Sequence, residues 1–308
     1  MDHARHREAE QRLWRSLGFA PREYQLRLMR IGATIRAQEV GDGPPIVFVH
    51  GGSISGSSWA PLVARLPGFR CVMIDRPGCG LSEPLTGTFH DVAAFGRFAE
   101  DLIADVLDSL GLDRAHLAAT SFGGYIALRG AAAHPDRVYR LIEFGWPIGA
   151  PVGRIPWVMR MAMAPGIGTL LASIPPTERA ARAILRSIGL RQALEAGRIT
   201  QEGLDWFVSL LRDTDTMRNE LKAGPRIFHP IRGMNRQLLL SPSLLSTVTT
   251  PLYFLWGERD PLGGADIARP FVHHFPNAEL ELMPGAGHAV WMDDAERAAQ
   301  TARRFLSG

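Results

Sequence analysis

The sequence predicts an α/β protein with a mostly parallel central sheet, helices on both faces and a helical cap insertion. Three observations carry that prediction. Short, nearly unbroken apolar runs at 46–50, 70–75, 115–119 and 138–144 alternate with helical stretches at about 59–66, 92–110 and 122–133. Strands of a parallel sheet read this way because helices bury both of their faces. The alternation lapses between about 146 and 236, where eight prolines interrupt it, and then resumes.

Taken in order, residues 9–17 predict a short helix packed outside the core, with His3 and His6 in a frayed end before it. Residues 24–30 and 33–39, joined at Ile31-Gly32, predict an antiparallel hairpin at one edge of the sheet. Gly41-Asp42-Gly43-Pro44-Pro45 breaks the chain before the first core strand. Within the proline-rich block, two helical patches stand out at 177–190 and 201–223. Beyond it come a strand at 252–256, a helix at about 265–274, a strand at 279–283 and a last helix at 294–306. The chain therefore divides into a core, 1–145 with 237–308, and a helical cap, 146–236, over the C-terminal edge of the sheet.

Composition narrows the function. The chain has 308 residues, 46% of them hydrophobic, enough for one sizeable core. Its formal charge is +3, and Lys222 is the single lysine among many scattered arginines, so no basic stripe invites nucleic acid. Cys71 and Cys79 are too few for a disulfide framework and have no metal-ligand company. Residues 1–15 lack the apolar stretch of a signal peptide, and no run approaches the roughly 20 apolar residues of a membrane helix. The expectation is a cytoplasmic protein with a small-molecule substrate, no nucleic acid, no membrane span, and neither metal nor organic cofactor.

The chemistry starts at Ala118-Ala119-Thr120-Ser121-Phe122-Gly123-Gly124, a serine at a strand-to-helix turn. A turn of this kind lifts a serine hydroxyl above the sheet, where a base can reach it. Capping of the helix is the alternative role for Ser121. A hydroxyl is a weak nucleophile, so it needs a base, and the base needs an orienting acid. His288, in Pro284-Gly285-Ala286-Gly287-His288, follows a strand and lies at the same sheet edge. Asp260, in the loop after the strand at 252–256, is the favoured acid; Glu258, Asp266 and Glu143 are its rivals. Backbone amides of Gly52 and Phe122 would bind a developing oxyanion, with Ser53 the second choice to Gly52.

Together these segments resemble the α/β-hydrolase superfamily from about Gln25 to the C-terminus. The resemblance rests on His50-Gly51-Gly52, Asp75-Arg76-Pro77-Gly78-Cys79-Gly80-Leu81-Ser82, Thr120-Ser121-Phe122-Gly123-Gly124, Gly257-Glu258-Arg259-Asp260 and Gly287-His288. It implies a Ser121-Asp260-His288 triad and a structural role for Asp75 and Arg76. Ala119 stands where the family pattern has glycine, at a position that demands a small residue. Serine at the elbow departs from dehalogenases and epoxide hydrolases of this type, which use aspartate. Carbon–carbon bond hydrolases share His50-Gly51-Gly52 but usually continue with further glycines and proline. They also place tryptophan after the catalytic histidine, where this chain has Ala289.

The resulting expectation is a serine hydrolase that cleaves a carboxylic ester or related acyl bond through an acyl-enzyme. The alternatives are a carbon–carbon (vinylogous diketone) hydrolase, a cofactor-free haloperoxidase-like enzyme and a non-catalytic binding protein of the same fold. Trp146, Trp157, Met159, Met161, Met163, Leu170 and Leu171 suggest an apolar entrance, with Trp146, Trp157 and Met161 as substrate contacts. Arg154 and Arg160 are candidates to pair with a substrate carboxylate.

Overall fold

The strands of the main sheet run β1 (Arg22–Leu28), β2 (Ala33–Val40), β3 (Pro45–Val49), β4 (Arg70–Ile74), β5 (Ala115–Ala119), β6 (Val138–Phe144), β7 (Leu252–Gly257) and β8 (Ala278–Met283). They form one sheet in the order β1-β2-β4-β3-β5-β6-β7-β8. The computed structural model describes residues 1–308 except 86–90, 163–166, 168–169, 171–173 and 230–232. β1 and β2 pair antiparallel, β2 lies antiparallel on β4, and every pairing from β4 to β8 is parallel. The sheet and its edge hairpin are those the sequence predicts.

Alternation along each strand splits the core in two. Val47, Val49, Val72, Ile74, Leu117 and Ala119 face one side, under α2 (Val92–Ser109) and α3 (Phe122–Ala133). Ile46, Phe48, Cys71, Met73, Ala118 and Ile142 face the other, packed with residues of the C-terminal helix Ala295–Ser307. All these strand residues are at most 1% exposed, which explains the unbroken apolar runs.

Two expectations need correction. The first helix, α1 (His3–Ser16), does not lie outside the core: it buries Leu13 and Trp14 in the second cluster. His6 is not frayed either; it is fully buried, and its Nδ1 lies 2.9 Å from Ser209 Oγ. Glu10 from the same helix ion-pairs with buried Arg36, which also bonds Asp75 at 3.2 Å. A helix that looked polar in sequence is thus held by a buried charge network.

The patch at 201–223 is two helices, Gln201–Asp213 and Thr216–Ile227, with a third, Glu178–Ser187, before them. Thr214 makes the break: its backbone is extended, and its hydroxyl donates to the Leu210 carbonyl at 2.6 Å. Among the described residues no helix is long and apolar enough to cross a membrane.

Candidate active site

β5 delivers the serine. Ala119 ends the strand fully buried, and the Thr120 hydroxyl donates to the Phe144 carbonyl of β6 at 2.5 Å. Ser121 follows with φ 54° and ψ −113°, a conformation side-chain-bearing residues avoid, at a cost on the order of 1–3 kcal/mol. Its side chain makes no helix-capping bond, so the capping role falls away. The two glycines after Phe122 explain themselves through close approach. A Cβ on Gly123 would stand 2.1 Å from the Val49 carbonyl oxygen, and one on Gly124 would stand 2.2 Å from Glu143 Oε1. Phe122 N–H opens α3, so the helix itself supplies it no acceptor.

Asp260 and His288 meet directly. His288 Nδ1 lies 2.8 Å from Asp260 Oδ2, which also accepts from Trp146 N–H at 3.2 Å. Asp260 Oδ1 accepts from Leu262 N–H at 2.9 Å. The carboxylate side chain has no exposure, while the imidazole keeps 12%. In the neutral imidazole, donation of Nδ1–H to the carboxylate leaves Nε2 its lone pair. Gly287, just before the histidine, donates its N–H to Asp293 Oδ2 at 2.7 Å. Burial pushes the Asp293 carboxyl up to about 6.

The segment 145–148 at the end of β6 joins the two halves. Ile148 N–H donates to the Ser121 carbonyl at 2.9 Å, and Trp146 N–H reaches Asp260. A Cβ on Gly145, at φ +88°, would stand 2.3 Å from the His288 carbonyl oxygen. On the far side of the serine, a Cβ on Gly51 would stand 3.1 Å from Ser121 Cβ, which brings the Gly51-Gly52 turn beside the elbow.

The rivals to Asp260 lie elsewhere. Glu258 is exposed and its carboxylate faces Gly285 N–H at 3.4 Å, while Asp266 sits in the first turn of the helix Ala265–Val272. Glu143 points under α3 instead of toward the histidine. It is fully buried, neither carboxyl oxygen has a hydrogen-bond partner, and burial pushes its pKa well above the ordinary 4.5.

Residues 46–302 match the profile of the Alpha/beta hydrolase family. The chain belongs to this family. It is 27% identical over 269 residues to a 2-hydroxy-6-oxononadienedioate/2-hydroxy-6-oxononatrienedioate hydrolase of Burkholderia vietnamiensis, spanning 85% of this chain and 86% of that one. Among solved structures it resembles carboxylesterase CesB from Bacillus subtilis (TM-score 0.75, 21% identity, 99% of each chain). It also resembles a 2-hydroxy-6-oxo-6-phenylhexa-2,4-dienoate hydrolase from Rhodococcus (TM-score 0.75, 18% identity, 94% of this chain and 100% of that one). At these identities the structural likenesses speak for the shared α/β-hydrolase fold.

Within this α/β-hydrolase, the expected substrate contacts separate. Trp146 is fully buried, its indole N–H donates to the Pro151 carbonyl at 2.9 Å, and its ring centre lies 6.3 Å from that of His288. Met161 is 37% exposed, and Arg154 is exposed. Met159 packs against the first core cluster. Trp157 begins the helix Trp157–Ala162, but its side chain, Met163 and Leu171 lie outside the described residues.

Sequence reasoning missed the supports from 188–189. His288 N–H donates to the Ile188 carbonyl at 2.9 Å, and Gly189, at φ +93°, packs its Cα so closely that a Cβ on Gly287 would stand 2.8 Å from it. Gly189, inside the 177–190 patch but next to its end, was the available signal of an earlier helix stop.

Proposed function

We propose that this protein is a serine hydrolase acting on a carboxylic ester or related acyl bond, with Ser121 as nucleophile, His288 as base and Asp260 as the acid that orients it. The observation that carries the reading is the buried Asp260–His288 pair at 2.8 Å, tied through residues 145–148 to a serine held at φ 54°. His288 Nε2 takes the hydroxyl proton as Ser121 attacks the carbonyl carbon, and Asp260 steadies the imidazolium that forms. The Gly52 and Phe122 amides donate to the oxyanion. The leaving alcohol takes the proton from His288, and a water activated by the same nitrogen then releases the acid. Residues 146–236 act as a cap over this site, in keeping with the contact of Ile188 with His288.

A fluorophosphonate should label Ser121 in the folded protein and fail to label Ser121→Ala, and the same substitution should abolish hydrolysis of p-nitrophenyl esters. Labelling elsewhere, or undiminished turnover, would sink the assignment.

A second reading, hydrolysis of a carbon–carbon bond, is favoured by those relatives that are 2-hydroxy-6-oxononadienedioate/2-hydroxy-6-oxononatrienedioate hydrolases. The same three residues could serve that reaction. A panel of vinylogous 1,5-diketones beside the ester panel separates the two: loss of the dienolate chromophore at a higher kcat/KM than any ester would move the substrate assignment.

A further inference from the structure

The turn that presents Gly52 is held from behind by two donors on one carbonyl. His50 Nδ1 lies 2.7 Å from the Gly51 oxygen, and Arg76 Nη2 donates to it at 2.8 Å. His50 Nε2 accepts from Arg76 N–H at 2.9 Å, so Nδ1 carries the imidazole proton. Burial, then the Arg76 charge, hold the His50 pKa well below 6.5 and keep that tautomer in place. The Gly51 carbonyl and the Gly52 N–H belong to one planar trans peptide unit, so they point in opposite directions. Fixing the oxygen therefore aims the amide.

Arg76 is itself held by the segment between β6 and β7. Its guanidinium is buried, lies 4.1 Å from the Phe122 ring centre, and donates through Nε to the His50 carbonyl at 3.0 Å. Its carboxylate partner is Glu220, whose Oε1 accepts from Nη2 at 2.8 Å. Cys79 Sγ shares that oxygen at 3.2 Å. Glu220 lies on the helix Thr216–Ile227, and Thr216, Asn219 and Glu220 share one face of it. Thr216 Oγ1 accepts from Gly80 N–H, and Asn219 Nδ2 donates to the Gly78 carbonyl, both at 2.8 Å. A Cβ on Gly52 would stand 3.1 Å from Glu220 Oε2, so glycine is what lets this carboxylate come so close.

We propose that Glu220 is a positioning residue: through Arg76 and the Gly51 carbonyl it aims the Gly52 amide at the oxyanion. The inference rests on the hydrolase reading above. A buried guanidinium stripped of its counter-charge is strongly unfavourable. It turns toward solvent, and Gly51 loses one of its two donors. The seating of the helix Thr216–Ile227 and the aim of the Gly52 amide are then linked.

The test compares Glu220→Ala, Glu220→Gln and Asn219→Ala, all checked to be folded at the assay temperature, on matched oxygen and thiono esters. Glu220→Ala should lower kcat on the oxygen ester by about tenfold, with KM moving less than about threefold. The thiono ester, whose sulfur accepts hydrogen bonds weakly, should lose less, so the oxygen-to-sulfur rate ratio falls. Glu220→Gln, which keeps an acceptor for Arg76, should recover most of the rate. Asn219→Ala, which loosens the same helix without touching Arg76, should leave the ratio unchanged. An unchanged ratio in Glu220→Ala, or an equal fall in Asn219→Ala, overturns the proposal. Absence of any Ser121-dependent turnover would instead fault the hydrolase reading. In that event the Gly52 amide resonance decides: it should shift in Glu220→Ala alone, and a stationary resonance overturns the proposal.

Discussion

The end of β6 and the loop after β7 each bury a carboxyl group, and the two groups meet opposite surroundings. Asp260 collects the His288 imidazole and the Trp146 and Leu262 amides. Glu143, four positions back from Pro147 on the neighbouring strand, lies against Gly124 with both oxygens unpartnered. Three N–H donors satisfy the buried Asp260 side chain, whereas burial without donors pushes the Glu143 pKa well above its ordinary value. Chain position alone made both plausible partners for the histidine. What separates them is the supply of N–H groups, which depends on how the segment 145–148 and the 260–262 turn fold.

Asp260→Asn should break the stronger side of this contrast. It leaves the shape intact but presents the histidine with the wrong tautomer, and kcat on an ester should fall by about 10³–10⁴-fold in steady-state assays. Glu143→Gln should change kcat by less than about threefold. The reverse pattern would exchange the roles of the two acids.

Gly124→Ala comes next in size. Its methyl would collide with the Glu143 carboxyl, and urea unfolding should show a loss of about 1–3 kcal/mol. Adding Glu143→Ala should return most of that loss, a coupling that a double-mutant cycle reads directly.

Glu143→Gln also tests the pH dependence. Burial raises the folded pKa above the ordinary 4.5, so this group favours folding below the unfolded pKa and loses that contribution as pH rises through the folded one. A glutamine cannot ionise. The variant should therefore gain on the wild type in thermal melts as the buffer becomes more alkaline, and parallel curves would refute the orphaned acid.

The smallest effect is expected at Asp293, raised by burial to about 6. Its stabilising contribution is present below the unfolded pKa and is lost as pH climbs through about 6. Asp293→Asn, with an oxygen still able to accept from Gly287, should raise the melting temperature by roughly 2 °C at pH 8 and leave it unchanged at pH 4.

Much of this was legible in the chain. Buried strands of a parallel sheet announce themselves as apolar runs, and glycine pairs at 51–52 and 123–124 mark where backbones approach closely. His288 and Asp260 could be placed because each follows such a run. Long-range polar contacts were not legible. Glu10 and Arg36 lie 26 positions apart and Arg76 and Glu220 lie 144 apart, and no local periodicity links such pairs. The same blindness put His6 at a frayed end, since its partner Ser209 is 203 residues away. Thr214 escaped notice because the short Asp213-Thr214-Asp215-Thr216 run sits within an otherwise amphipathic stretch.

The meeting of Gly189 with Gly287 carries a lesson for redesign. Two backbones touch there with no room for a methyl group on either, directly behind the residue that would move protons. A library that randomises these positions to widen the cleft would return mostly inactive chains, whatever residues it samples. Diversity is better spent around Met161, where the surface is open and a change of shape need not reach the histidine.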